Sequence, residues 1–414
     1  MNHINSGDTA FMLLSAALVL FMTPGLAFFY GGLVRSKNVV NTMMMSLVAM
    51  GIVTVQWILW GYSVAFAPNP GSLGSFIGSF DWIGLDNVGL APNSDYSPTI
   101  PHQAFMMYQA MFAVITPALI SGAIVERMKF KSYAVFVFLW TTISYDLVAH
   151  WVWGVGGWLR TMGALDFAGG TVVHINAGVS ALVASLMLGT RRGFPNRPMP
   201  PHNVTLAILG AGMLWFGWFG FNAGSAMSSG ALATTAFVAT NVAASAGLLG
   251  WLLLDIFLKG KPTGVGAITG AVAGLVAITP ACGFVTPLGA VAIGLGGAGV
   301  CYWAVTQRMK WNLDDSLDAF SVHGIGGMFG ALMTGVFATK SVNEAGNNGL
   351  LYGNASLLWI QFVGVVATAA FAALVTFILL KILNATIGIR SSDEHQHEGL
   401  DLVEHGEKGY HEIV

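Results

Sequence analysis

Between residues 355 and 386 the chain runs for 32 residues with one ionisable side chain, Lys381. Ten more apolar runs precede it. A bilayer's hydrocarbon core asks for about 20 such residues per helix, and in lipid every backbone N–H and C=O must be paired within the protein. Runs this long and uniform suit helices rather than the alternating strands of a barrel. The expectation is an all-α polytopic membrane protein with eleven spans, near 9–33, 40–66, 102–124, 132–153, 170–189, 203–223, 232–257, 264–281, 286–306, 319–338 and 355–386. Only 9% of the 414 residues are charged, where soluble domains carry about 25%. The last span is long enough to imply a tilt or an extension into water. The first eight residues, Met1 to Asp8, carry no Lys or Arg, so the first run reads as a retained helix rather than a signal peptide.

Loop charge fixes the orientation. With the N-terminus outside, 15 of the 17 Lys and Arg residues fall on the inner side or in the tail, and only Arg160 and Lys340 lie outside. That is the positive-inside pattern; it puts the C-terminus inside, and one missed span would scramble it. The longest outer loop, 68–101, carries Asp81, Asp86 and Asp95 without a Lys or Arg. It either favours cations at the outer face or simply follows the loop bias. Residues 1–390 read as the membrane domain and 391–414 as a polar, acidic cytoplasmic tail with a contact or regulatory role. The tail's His395 and His397 sit in an irregular, solvated setting that argues against a metal site. A net charge of -2 gives no reason to expect nucleic acid. Cys282 and Cys301 lack paired spacing, so neither a disulfide framework nor a metal or other cofactor is expected.

Spans one to five start outside and spans six to ten start inside, the mark of an inverted 5+5 repeat with the eleventh helix peripheral. Asp166-Phe-Ala-Gly-Gly-Thr-Val-Val-His174-Ile-Asn-Ala-Gly178 opens span five, and Asp318-Ala-Phe-Ser-Val-His323-Gly-Ile-Gly-Gly327 opens span ten. Each stretch begins with an acid and carries a histidine into the membrane, where ionisable residues are costly. One buried histidine is most often a satisfied core residue; two in equivalent places point to a shared pore near the midplane. Desolvation disfavours the charged imidazole, and two neutral rings form a polar relay for a small hydrogen-bonding solute or a proton. Asp166 and Asp318 read as helix caps, worth about 1 kcal/mol each. Asp166 also reads as a fixed charge that draws a cation to the entrance. Tyr108, Phe112, Trp153, Trp218 and Phe221 lie near helix ends or on pore-capable spans. Many such aromatics are interfacial belt or packing, but a subset at an outer mouth holds a cation by its ring faces, at about 2 kcal/mol when desolvated. Ser225 adds a hydroxyl acceptor there. The 53 glycines cluster in spans eight to ten, where small residues let helices approach closely.

Together these residues resemble the ammonium transporter (Amt/Mep/Rh) family. The carriers are the Asp166–Gly178 stretch with its Leu188-Gly-Thr-Arg191 end, Ala149-His-Trp-Val-Trp-Gly154 and Gly217-Trp-Phe-Gly-Phe-Asn-Ala-Gly-Ser225. Gln109-Ala-Met-Phe-Ala113, Gly122-Ala-Ile-Val-Glu-Arg127 and the tail's Glu398-Gly-Leu-Asp401 add to them. The resemblance covers nearly the whole chain and is stronger to the Amt branch, prokaryotic in type. It implies an eleven-helix protomer in a homotrimer in the plasma (inner) membrane, one pore per protomer. It implies an outer ammonium site from Trp153, Ser225 and Phe112 with Tyr108 in the vestibule, gate rings Phe112 and Phe221, the twin pore histidines His174 and His323, and Asp166 as the acid below the entrance. It further implies that the inner face docks a PII-type signal protein and that methylammonium is a candidate second cargo. One departure is Asp146-Leu147-Val148, where the family pattern carries a proline that would bend span four and seat Trp153.

The mechanism expected from these residues is NH4+ recruitment at the aromatic site, deprotonation, and passage of NH3 past the histidines with the proton on a separate route. Two alternatives share the fold: an ammonium sensor with little transport, and an electroneutral ammonia gas channel. An intramembrane metalloenzyme built on His150, His174 and His323 lacks a His-Glu-x-x-His motif or a convergent carboxylate pair, so no enzyme is expected.

Overall fold

The computed structural model describes residues 4–410; the first three residues and the last four of the expected tail lie outside the described residues. Among the described residues the secondary structure is helical, with two isolated bridges and no strand. The apolar helices are α1 Ser6–Leu33, α2 Ser36–Phe66, α3 His102–Ile124, α4 Phe130–Met162, α5 Gly170–Leu188, α6 Val204–Ala226, α7 Ala231–Lys259, α8 Gly264–Ile278, α9 Pro287–Gln307, α10 Phe320–Phe337 and α11 Ala355–Thr386. Ten of them are long and apolar enough to cross a membrane; α8 is the shorter one, at 15 residues. It stops before the expected residue 281 because Pro280 has no N–H to bond back to the Val276 carbonyl. The fourth helix breaks at its expected end, residue 153, and after a turn at residues 154–157 a short helical segment continues to Met162.

Side-chain caps start many of these helices. Asn5, Asn203, Thr263, Thr286 and Asn354 each accept a hydrogen bond from a first-turn N–H of α1, α6, α8, α9 and α11. Each satisfies a donor the helix leaves orphaned. The second and fourth helices widen into π-helical turns at Trp57–Gly61 and Thr141–Tyr145, while α5 and α10 begin in them, at Gly170–Ile175 and Phe320–Gly324. Such turns recur where function needs a re-aimed side chain; the last two carry His174 and His323.

Like-placed helices of the two expected halves pack together. Along α1 and α6, a Cβ on Gly32 would lie 2.5 Å from the Ala207 nitrogen. Where α5 crosses α10, one on Gly178 would lie 2.1 Å from the Gly324 nitrogen.

A largely buried ion network ties the loops on the side expected to be cytoplasmic. Glu126 pairs with Arg35 at 2.8 Å and Arg191 at 3.1 Å, and Arg191 pairs with Asp314 at 2.7 Å. Burial pushes the Glu126 carboxyl up, but the Arg191 and Arg35 guanidiniums outweigh it and hold the group below its ordinary 4.5. Its contribution is therefore complete at neutral pH and is lost as pH falls through the folded value. Glu126→Gln strands Arg191 with half its counter-charge, and breaking a buried pair costs about 3 kcal/mol. The expected result is a thermal midpoint in detergent several degrees lower, with less loss on acidification than wild type; an unchanged midpoint refutes it. The tail, residues 391–410, lies against the N-terminal end of α2: Asp401 accepts from the Asn41 N–H at 2.8 Å, Leu400 donates to Asn38, and Lys37 reaches the Gln396 and His397 carbonyls.

Candidate functional site

Three cavities run from the start of α3 and the ends of α4 and α6, the side expected to be outer, to the end of α1 and the starts of α8 and α10, the side expected to be inner. The outermost, about 200 Å³, is walled by Phe112, Trp153 and Ser225 together with Gln109, Phe167 and Met227. The Trp153 indole donates to the Asp166 carbonyl at 2.9 Å and stands edge-on to Phe112, centroids 5.9 Å apart at 88°. Ser225 donates to the Phe221 carbonyl at 2.9 Å, which leaves hydroxyl lone pairs free to accept from a cation. Tyr108 is fully buried behind Phe112 and does not line the cavity. Its hydroxyl lies 2.9 and 2.8 Å from the Gly220 and Phe221 carbonyls and 3.2 Å from Ser225, so it fixes the end of α6 that presents Ser225.

Gln109 was not singled out from the sequence as a site residue. Its side chain is buried on the cavity wall, and its Oε1 has no hydrogen-bond partner among the described residues. A buried acceptor without a donor costs about 1–3 kcal/mol, which a cationic donor in the cavity would relieve. No spacing marks it in the sequence, since His102 and Thr116 lie one heptad either side of Gln109 on the same helix.

Phe112 and Phe221 close the cavity floor, ring centroids 4.2 Å apart and tilted by 35°. Below them the path narrows to about 10 Å³ between Phe221, Trp218, His174 and His323, barely the volume of one water probe. His174 Nδ1 and His323 Nδ1 are 3.3 Å apart, and the rings stack at 5.2 Å and 23°. Thr279 orders this pair. Its hydroxyl donates to the Leu275 carbonyl at 2.7 Å and accepts from the Trp218 indole at 2.9 Å, so toward His174 Nε2, at 3.4 Å, it has only a lone pair to offer. His174 then carries its proton on Nε2, and the contact between the rings runs from His323 Nδ1–H to His174 Nδ1. His323 Nε2 is left as the bare acceptor.

Each histidine helix starts on a carboxylate. Asp166 accepts from the backbone N–H groups of Gly169, Gly170, Thr171 and Val172, at 2.8, 2.7, 2.7 and 3.2 Å. Burial pushes this carboxyl up and the four N–H groups oppose the shift. The carboxylate is thus spent on the backbone, and Asp166 reaches the outer cavity through its carbonyl, which seats Trp153. In the second half the cap expected at Asp318 is made instead by Asp315, which accepts from Ala319, Phe320 and Ser321 at 2.9, 2.9 and 3.1 Å. The physical reason is register: the π turn needs its acid eight residues before the histidine, as Asp166 is before His174. Asp318 occupies the place of Gly169, five residues before the histidine, and both have left-handed φ, 60° and 114°. Its carboxylate pairs with Arg308 at 2.6 Å on the wall of an inner cavity of about 210 Å³ that His323 also lines. Burial raises Asp318 to about 6 against the opposing pull of Arg308.

The arrangement resembles known proteins throughout. The model of the Ammonium Transporter Family matches residues 10–410. An ammonium transporter of Bacillus subtilis is 52% identical over 409 residues, 99% of each chain. The crystal structure of Saccharomyces cerevisiae Mep2 superposes with a TM-score of 0.89 at 37% identity, over 95% of this chain and 89% of that one. A structure titled Sensor Amt Protein gives a TM-score of 0.88 at 30% identity, over 96% of this chain and 98% of that one.

Proposed function

The chain belongs to the ammonium transporter family, and from that premise we propose that it carries ammonium across the plasma (inner) membrane by recruiting NH4+ outside and passing NH3 inward. The observation that carries the reading is the stack of aromatic cup, ring gate and paired histidines along one line. The ion enters the outer cup, where Trp153 and Phe112 offer ring faces and Ser225 and Gln109 offer oxygen acceptors. A bare cation in the narrow section below would be expensive, so the proton leaves the ion in the cup and crosses by a separate, wetter route, while the neutral molecule slips past Phe112 and Phe221 when the rings swing. It then passes the histidine pair, where His323 Nε2 is the free acceptor, and rejoins the separately carried proton in the inner cavity. Asp166 is the positioning acid. Bound methylammonium would test the size of the cup.

The architecture that goes with this reading has eleven crossings, α8 included, with the N-terminus outside and the C-terminus inside. Residues 1–390 form the transporting unit as two inverted five-helix halves with α11 outside them, and 391–414 form the cytoplasmic tail. A homotrimer with one pore per protomer and a PII-type signal protein at the inner face are the partners proposed.

The test is current from proteoliposomes on an ammonium jump, in wild type and in a His174→Ala, His323→Ala double variant. Wild type is expected to give a saturable transient, and the variant to lose it or to admit other cations. Unaltered rate and selectivity in the variant would sink the relay. Uptake without current would make the chain a gas channel, and no flux would move it to the sensors.

A further inference from the structure

Arg160 is one of only two basic residues placed outside by the loop-charge pattern, and nothing in the function above uses it. It sits on the wall of the outer cavity, the cup proposed for a cation. Its guanidinium donates from Nη1 to the Trp153 carbonyl at 2.6 Å and lies over the Tyr96 ring, 5.9 Å from the centroid. Tyr96 is itself pinned: its hydroxyl donates to the Phe66 carbonyl and accepts from the Val155 N–H at 3.1 Å. The arginine is exposed at the cavity mouth but tethered by these two partners. Asp95 is the acid on the same wall, and among the described residues Asp95 and Arg160 make no ion pair with each other.

We propose that Arg160 is a specificity-determining residue of the outer cation site, a fixed positive charge that lowers the cup's affinity for ammonium while strapping Trp153 to the outer lip. The inference rests on the reading of the cup as the ammonium site. Two consequences follow from the chemistry. A like charge sharing a cup of this size with the cargo repels it, and salt screens that repulsion over a Debye length of about 10 Å at 0.1 M. Ammonium affinity should therefore improve with ionic strength, the reverse of a cup governed by Asp95 alone. The strap is a separate duty: any donor of the right reach serves the Trp153 carbonyl, whereas only a cation repels the cargo.

Two variants separate the duties. Arg160→Gln removes the charge, and its amide ends two bonds short of the Nη1 that straps Trp153; Arg160→Lys keeps the charge and loses the planar fork. KM and maximal rate are read from ammonium-jump currents at low and high ionic strength. Arg160→Gln is expected to lower KM about two- to fourfold at low salt, with the gap closing at high salt, since salt screens the charge and leaves the strap unaffected. Arg160→Lys is expected to keep the wild-type salt dependence. An Arg160→Gln KM equal to or above that of wild type at low salt, in a wild type that transports, overturns the inference alone and leaves Arg160 a strap. A wild type without saturable ammonium flux overturns the reading of the cup and this inference with it.

Discussion

Asp166→Ala should abolish ammonium-dependent current, by at least about a hundredfold, without removing any side chain from the wall of the outer cavity. Four backbone N–H groups at the start of α5 end on this one carboxylate. Each buried donor left without a partner costs about 1–3 kcal/mol, so alanine costs on the order of several kcal/mol locally. The π turn Gly170–Ile175 cannot keep its shape at that cost, and two functional groups hang on it: His174 inside the turn, and the Trp153 indole on the Asp166 carbonyl. Asp166→Asn is expected to fail nearly as badly, since half its amide is a donor facing donors. Asp166→Glu is the informative partner, because it keeps the charge and displaces the oxygens by one methylene. If Asp166 served mainly as an attracting charge, glutamate would restore most of the current; as a cap it restores little. A folded Asp166→Ala protein with near-normal current would refute the cap account altogether.

How much of this was legible beforehand depended on whether the signal was periodic or spatial. The helices were legible because lipid removes every alternative to pairing the backbone internally, so the apolar runs name their own ends to within a few residues. His174 and His323 were legible because imidazoles inside apolar runs are rare enough to be informative. The acid of the second cap was misread. Asp315 and Asp318 both precede His323, and the nearer one was chosen, although matching the Asp166-to-His174 spacing of eight would have picked Asp315. Gln109 and Thr279 were hidden for a different reason. An orphan carbonyl oxygen on a cavity wall and a hydroxyl that fixes a tautomer are properties of three-dimensional neighbours, and no spacing along the chain encodes them. Tyr108 was placed in the vestibule by the resemblance, and the structure puts it one layer behind, where its hydroxyl braces the carbonyls that present Ser225.

The closest backbone contact in the path predicts that Gly178→Ala disables transport with both histidines intact. A Cβ at Gly178 would lie 2.1 Å from the Gly324 nitrogen, 2.4 Å from its Cα and 2.8 Å from the His323 carbonyl carbon. All three are backbone atoms of the π turn that holds His323, so no side chain can move aside and α10 itself must retreat by about an ångström or more. Two effects oppose each other. Alanine gains about 1 kcal/mol of helix propensity over glycine, whereas forcing apart a well-packed contact costs about 1–3 kcal/mol, and contact with an unyielding backbone belongs at the upper end of that range. The net is a modest loss of stability. The loss of function is larger, because His174 and His323 meet at 3.3 Å and a further ångström takes that contact outside hydrogen-bonding range. The expected result is a protein that still folds, melts a few degrees lower, and carries less than about a tenth of the wild-type current. Gly212→Ala is the control, since a Cβ there meets nothing within 4 Å, and it should transport normally. A Gly178→Ala protein with wild-type current would mean that the histidine pair need not touch for ammonia to pass, and the relay would give way to a path that uses each ring alone.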